Sequence, residues 1–421
     1  MRNSVVHRDS GRMGPSSMRR LNGALLLDLI RDKGPASRAE LARLSGLTKP
    51  TVSSQVADLL RRALVVEDGT VEPDERGGKR SKLLRFNPQC GNLIGVEIGS
   101  SVVRVRLADL DGAILDGEDA EVWPERGADH ILTTAVTAIN LVLSRSRGRK
   151  QKLMIVAVAA PGRVDSDSGV VLEAGNVFHW RGVAVREHFQ RAFKVPILVE
   201  NDVNLAALGE MHYGLGQGVK NFVLIRLTTG VGAGLVVGGR LYQGNHWAAG
   251  EIGHMVFDQE AAADVPNDRG YLESVIGSDR LRERVRTAKT KAAVEAAQAG
   301  GSDLHGELLE AVRRGDPAAV AIVDDLGSKV SLAAANLAVV MDPELILLAG
   351  ELFDLVVGRI REVVERVIPW PVRIERSALG EDAVLMGAIG SARSLAHDLV
   401  CGKNREESQL QERQVRKAHD I

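Results

Sequence analysis

The segment "LIGVEIGSSVVRVRLADLDGAILDG", Leu93 to Gly117, reads as strand, glycine turn, strand, Asp-Gly turn and third strand. The same pattern returns as "NFVLIRLTTGVGAGLVVGGRLYQG", Asn221 to Gly244, with a Gly-rich first turn and Gly-Gly at the second. A three-stranded meander repeated after about 130 residues predicts two similar α/β lobes. Each copy is followed by helical or mixed sequence, such as "ADHILTTAVTAINLVLSRS" and "PAAVAIVDDLGSKVSLAAANLAVVM". Ligands of α/β proteins sit in crevices, so a cleft between the lobes is the expected site.

The 421 residues exceed one core and suggest two or three domains. No apolar run approaches the roughly 18 residues of a membrane helix, and the polar start has no apolar signal core. A cytoplasmic protein is expected, with no membrane partner. Cys90 and Cys401 are too few for a disulfide framework or a four-cysteine metal site, and neither suggests a redox role. Charge is divided unevenly. Residues 1–90 hold 17 Lys and Arg against 10 Asp and Glu, while the remainder hold 37 against 45. A basic head on an acidic body suggests a module that binds a polyanion, of which nucleic acid is the obvious one.

The head supports that reading. In "SRAELARLSGLTKPTVSSQVADLLRRALVVE", Ser37 is an N-cap with Glu40 at the capping-box position, and Gly46 marks a tight turn. A second helix starts at Thr48, accepts Pro50 in its first turn and repeats apolar Val52, Val56, Leu59 and Leu60. Its other face offers Lys49, Thr51, Ser53, Ser54 and Gln55, polar groups suited to a helix entering the major groove. An earlier apolar helix over Leu21–Arg31 would complete a three-helix core. "LVVE" and "GGKRSKLLRF" read as a hairpin with a basic tip at Gly77–Lys82, where Lys79, Arg80 and Lys82 would hold phosphates. Any one of these features occurs in proteins that never touch DNA; their order is what predicts a winged helix-turn-helix. Residues 1–18 are expected to be a disordered arm.

The chain resembles the ROK family of repressors, open reading frames and sugar kinases. The resemblance spans nearly the whole sequence: the head, "GGKRSK", "AAPGRVDSDSGVV", "NVFHWRGV", "VENDVNLAALGE", "TTGVGAGLVVGGRLYQG" and "AAGEIGH", in matching order. It implies an actin/hexokinase-like two-lobed body, with lobe 1 over 89–205, lobe 2 over 206–383, a helix over 384–400 returning to lobe 1 and a charged tail over 401–421. The head would occupy 19–88. In this family an N-terminal DNA-binding domain marks the regulators.

A sugar hydroxyl both donates and accepts, so carboxylates and amides grip it in pairs. The resemblance assigns Asn201 and Asp202 of "END", Glu251 and His254 of "GEIGH" and Glu273 of "YLES" to sugar contacts, with Asn176 a further one. Asp202 also matches the general base of the kinases. Singly, each acid could be a solvated residue or a cap. Trp247 stands where the family has a small residue and would alter which sugar fits.

Phosphoryl transfer needs more. Kinase members resemble "DIGGT" at the first loop, whereas this chain reads "EIGSS", with Glu97 for the aspartate, Ser100 for a glycine and Ser101 for the threonine. Ser100 crowds the phosphate, and Glu97 is a methylene too long for the acid near Mg²⁺. The glycines of "TTGVGAG" remain but read as formers of tight strand turns. The family's zinc cysteines correspond to Asp264, Pro266 and Tyr271 here, which with His254 cannot make a four-ligand structural site, so neither metal nor cofactor is expected. Something else, such as packing of Tyr271, must order that segment.

These readings converge on a DNA-binding transcriptional regulator, a repressor before an activator, that senses a sugar or sugar derivative in its cleft. A homodimer or tetramer on a palindromic operator is expected, with ligand changing the spacing of two heads. The competing readings are a sugar kinase carrying a DNA-binding head, which Asp202 favours and Glu97 and Ser100 oppose, and a regulator that answers to a protein partner.

Overall fold

The computed structural model describes residues 15–71, 81–146, 151–174, 180–228, 230–257, 270–287, 304–350 and 352–401. They divide into two compact units. The smaller takes the chain up to residue 92, the piece 109–111 and everything from 393 onward; the larger takes 93–108 and 112–392.

In the smaller unit three helices, α1 (Pro15–Lys33), α2 (Arg38–Ser45) and α3 (Lys49–Arg61), precede a hairpin of β2 (Val65–Val71) and β3 (Ser81–Phe86), joined on its free side by β1 (Ala36–Ser37). The caps form as the residue types require. Ser37 Oγ accepts from the Glu40 N–H at 3.2 Å, and Thr48 Oγ1 accepts from the Thr51 N–H at 3.4 Å. Gly46 closes α2 at φ +70°, a left-handed conformation open to glycine without cost, and donates to the Ala42 carbonyl. Leu26, Leu27 and Ile30 of α1, Leu41 of α2 and Val52, Val56 and Leu59 of α3 are buried with Leu84 and Phe86 of the hairpin. Each such side chain contributes roughly 1.5–3 kcal/mol through burial.

Two expectations change here. The first helix starts at Pro15 and runs to Lys33, longer at both ends than Leu21–Arg31. It therefore takes residues 15–18 out of the arm expected to be disordered, a start that proline tolerates because a first-turn residue needs no N–H partner. Residues 1–14 lie outside the described residues, as do 72–80, which hold most of the basic hairpin tip.

The larger unit is built on two five-stranded sheets. The first contains β4 (Gly91–Ile98), β5 (Val102–Asp109), β6 (Ile114–Glu121), β7 (Lys152–Ala160) and β11 (Ile197–Asn201), in the order β6-β5-β4-β7-β11. The second contains β12 (Phe222–Leu227), β13 (Val231–Val237), β14 (Arg240–Leu241), β15 (Leu345–Ala349) and β16 (Arg373–Arg376), in the order β14-β13-β12-β15-β16. The two orders are the same. In each sheet the meander seen in the sequence is extended past its first strand by two later strands, and β11 on β7, β15 on β12 and β16 on β15 are parallel. A small sheet of β8 (Arg163–Asp165), β9 (Val170–Glu173) and β10 (Arg181–Val183) branches from the first lobe.

Helices α4 (Ala128–Arg145) and α5 (Val185–Ala192) share an apolar core with the first sheet. The helices Pro317–Met341 and Phe353–Val367 share one with the second. Helix α6 (Asp202–Tyr213) follows β11 of the first sheet yet packs on β12 and β13 of the second, which ties the two lobes together. Its approach explains two glycines. A Cβ on Gly234 would lie 2.6 Å from the Ala207 Cβ, and one on Gly232 would lie 3.1 Å from Val203 Cγ2. Both glycines sit inside β13, so the expectation that they form turns is corrected: of these residues only Gly230 precedes the strand, and the others make room for α6.

Candidate functional site

Where β11 ends and α6 begins, Glu200, Asn201 and Asp202 fall at a strand-to-helix junction. Asn201 is the N-cap of α6: its Oδ1 accepts from the Asn204 N–H at 2.9 Å. Its amide donates to the Gly162 carbonyl at 2.8 Å and to Asp202 Oδ1 at 3.1 Å. Asn201, expected as a sugar contact, directs both amide hydrogens to protein oxygens, one of them on Asp202.

Asp202 is not free either. Its Oδ2 accepts from Arg226 Nη1 at 2.7 Å, and Arg226 comes from β12 in the opposite lobe. Arg226 Nη2 also lies 3.6 Å from Glu97 Oε1, while Arg104 Nη2 donates to Glu97 Oε2 at 2.6 Å. Glu97 is only 8% exposed, Arg226 15% and Asp202 24%. The result is a part-buried chain of alternating charge, Arg104–Glu97–Arg226–Asp202, running from the first loop to the candidate base. Burial holds the Glu97 carboxyl above its usual range, while the two guanidinium groups oppose that rise. Ser100 and Ser101 lie in the turn beyond it, the first partly exposed and the second exposed.

The second group of acids converges from the other side. The loop from Gly244 to His254 is laid along β13, where the Ala233 N–H donates to the Gly250 carbonyl at 2.8 Å. Gly250 is at φ +86°, and a Cβ there would sit 1.8 Å from the Ala233 oxygen, so only glycine allows the contact. Glu251 follows. Its carboxyl is pushed up to about 7, by burial first and then by the negative charges of Glu273 and Asp202, with Arg163 opposing. Three of the expected sugar acids therefore share one electrostatic neighbourhood. Glu273 stands on α7 (Tyr271–Ile276), its Oε2 within 3.5 Å of where a Cβ on Gly253 would be. His254 closes the short helical turn Ile252–His254 and is exposed. Asn176 lies outside the described residues, and so do Asp264 and Pro266. Tyr271 packs edge-on against Phe257 with ring centroids 6.5 Å apart. Trp247 adopts φ +52°, which a bulky side chain rarely does and which matches a position more suited to a small residue.

Two groups that the sequence reading passed over complete this region. Glu200, partly buried with its carboxyl held above the usual range by desolvation, accepts from the Asn201 N–H at 2.8 Å and from Asn204 Nδ2 at 3.0 Å. Gln243, from the second lobe, donates to Glu200 Oε2 and, at 2.7 Å, to Ser166 Oγ in the first.

In the smaller unit Lys49, Ser53 and Ser54 are exposed at the start of α3, as expected, and Thr51 is partly exposed with its hydroxyl 2.8 Å from that of Thr48. Gln55 is not on that face. It is 7% exposed and points at Gly23 of α1, because 52, 55, 56 and 59 make one helical stripe and a glycine on the neighbouring helix leaves space for the amide. Lys82 is exposed and pairs with Glu67 across the hairpin, whose carboxyl also meets Arg38 at 3.4 Å. Lys79 and Arg80 lie outside the described residues.

Two sheets of one strand order, bridged by a helix and lined with acids at the strand ends, define a duplicated actin/hexokinase-like body. The ROK family model matches residues 93–394, and the chain belongs to the ROK family. It is similar to the xylose repressor of Bacillus spizizenii, 27% identical over 380 residues that cover 88% of this chain and 94% of that protein. It is also similar to the glucokinase of Halalkalibacterium halodurans, 32% identical over 263 residues, or 61% of this chain and 79% of that one. Among solved structures, a ROK family transcriptional regulator described as a homologue of the E. coli MLC protein superposes with a TM-score of 0.74 at 25% identity, covering 91% of this chain and 98% of that one.

Proposed function

We propose that the protein is a sugar-responsive transcriptional regulator, a repressor, whose body binds a sugar and does not phosphorylate it. The observation that carries the regulator reading is reach. The similarity to the xylose repressor extends over head and body alike, whereas that to the glucokinase takes in a share no larger than the body. The helices and hairpin of the smaller unit fit a winged helix-turn-helix, with α3 as the helix that enters the major groove through Lys49, Thr51, Ser53 and Ser54. Lys79, Arg80 and Lys82 would serve as phosphate contacts of the wing; for Lys82 the exposed pairing with Glu67 is cheap to exchange. A homodimer on a palindromic operator in the cytoplasm completes the reading.

The chemistry of the cleft supports a sensor. A transferring kinase needs its base free to take a proton and its loop acid free for the metal. Here Arg226 pairs with both Asp202 and Glu97 from between them, and Arg104 pairs with Glu97 as well. Glu251, Glu273 and Asp202, with Asn176 and His254, would remain to hold sugar hydroxyls. Binding regulates only if the sugar favours one state of the body over another.

The test uses the full chain and double-stranded DNA selected from a random pool. Xylose, glucose and N-acetylglucosamine at millimolar concentration are screened for a rise in Tm, and each hit is then tested for release of the selected DNA. A sugar that raises Tm and releases DNA is the expected result. Absence of any Tm change overturns the sensor, and ATP-dependent sugar phosphorylation that disappears in Asp202→Asn overturns the non-enzymatic reading.

A further inference from the structure

The smaller unit contains a cluster that neither the cleft nor the exposed face of α3 uses. The last helix of the described residues, Ala383–Cys401, reaches into this unit, and His397 and Cys401 stand one turn apart on it. Both meet Asp28 of α1. Asp28 Oδ1 is 2.6 Å from His397 Nε2, Cys401 Sγ is 3.5 Å from the same nitrogen, and the three donor atoms all lie within 4.8 Å of one another. Cys401 is buried, and the other two are partly buried. On the far side of the ring Arg31 Nη1 lies 3.2 Å from Nδ1. Guanidinium can only donate, so Nδ1 accepts and the imidazole proton sits on Nε2, facing Asp28.

We propose that Asp28, His397 and Cys401 form a site for a divalent transition-metal ion of the zinc class. A sulfur, a nitrogen and a carboxylate oxygen are the donors such an ion selects, whereas Mg²⁺ and Ca²⁺ take oxygen alone. Bonds of about 2.0–2.3 Å place tetrahedral ligands roughly 3.3–3.6 Å apart. The sulfur and nitrogen already have that separation. The carboxylate must back away from the ring by somewhat under an ångström, which rotation of the Asp28 side chain supplies, and water takes the fourth position.

The proton balance is specific. Metal–sulfur, metal–nitrogen and metal–oxygen bonds form, the thiol proton leaves to solvent, and the imidazole proton moves from Nε2 to Nδ1. Nδ1–H then faces a guanidinium that also donates, so Arg31 gives up the ring. It keeps its other partners, the Leu110 carbonyl at 2.9 Å and Asp111 at 3.4 Å. The ion would pin the first helix of the smaller unit to the turn that carries His397 and Cys401.

The probe is Co²⁺, titrated into reduced, metal-stripped full-length protein. The expected result is a thiolate-to-cobalt charge-transfer band with visible bands of a tetrahedral ion, saturating at one ion per chain and displaced by Zn²⁺. Cys401→Ser abolishes the charge-transfer band, and Cys90→Ser, which alters the only other thiol, leaves it intact. Asp28→Asn and His397→Gln each weaken Zn²⁺ binding by tenfold or more. A wild-type protein without the band, a band that survives Cys401→Ser, or one that vanishes with Cys90→Ser overturns the site. Should Cys401→Ser fail to fold, Asp28→Asn decides alone, and an unchanged Kd for Zn²⁺ refutes the assignment.

Discussion

In the hairpin of β4 and β5, the position two before the turn is Glu97, and the strand beyond carries Val103, Arg104 and Val105. In the hairpin of β12 and β13, the matching positions hold Arg226, Gly232, Ala233 and Gly234. Both turns span three residues, so the two copies superpose position for position in sequence. The first copy keeps valines with 0% exposure in its own core, and the second keeps glycines because α6 lies against it. Duplication thus placed the side chains of Glu97 and Arg226 at equivalent points of two lobes that face each other, and opposite charge turned that equivalence into a bridge. The acid of the first hairpin thereby meets a base of the second across the lobes.

Breaking the bridge from one side should have the largest effect. Arg226→Leu leaves Glu97 and Asp202 without their shared partner and should cost about 3 kcal/mol, the low end for a buried pair because Arg226 and Asp202 keep some exposure and Glu97 keeps Arg104. Urea unfolding should show that loss, and Glu97→Leu added to Arg226→Leu should recover most of it. If the double variant is no better than the single, Asp202 alone is the partner that matters.

The glycine difference comes next. Gly234→Val, which writes the first copy's Val105 into the second, should cost about 1–3 kcal/mol through overpacking against Ala207. A neutral effect on the urea midpoint would show that α6 does not need the close approach.

The loop along the second hairpin gives a pH signature of similar or smaller size. Glu251 has a folded-state pKa raised to about 7, so it holds its proton more tightly folded than unfolded. Its contribution is fully present below the unfolded value near 4.5 and is lost as pH rises through 7. The difference in unfolding free energy between wild type and Glu251→Gln should therefore shift by about 3 kcal/mol across that window. Parallel profiles for the two proteins would remove Glu251 from the buried acid cluster.

The smallest effect belongs to the head. Lys49→Ala should weaken DNA binding and reduce its salt slope by about one, and Gln55→Ala should leave the slope alone, since its amide faces α1. A slope that changes equally in both variants would return Gln55 to the DNA face.

The outline of the fold was legible because its signals are local. Ser37, Gly46 and Thr48 announce two helices and their turn within a dozen residues, and the repeated meander announces two lobes. The acids at 202, 251 and 273 were legible through motif order, and burial brings them into one field. What the sequence hid depends on partners far along the chain. Arg226 sits in a strand where period-two alternation would send a charge to solvent; only laying the two copies side by side shows that it opposes Glu97. Gln55 reads as a polar surface residue until Gly23, on another helix, provides the space that buries it. Asn201 stands out by motif position, but its cap on Asn204 and its bonds to Gly162 and Asp202 could not be read from the sequence.

Gln243 carries one more consequence. Its side chain spans the lobes by two hydrogen bonds, one of them to a carboxylate, and any wide opening of the body must give up both. The neutral bond is worth about 0.5–1.5 kcal/mol and the one to the carboxylate about 1.5–3, together enough to slow an opening step by roughly tens to a few thousand times. The clasp would then set how long an effector stays once it has entered. For a regulator that binds its sugar between the lobes, as proposed, that residence time would govern how long the response outlasts the supply.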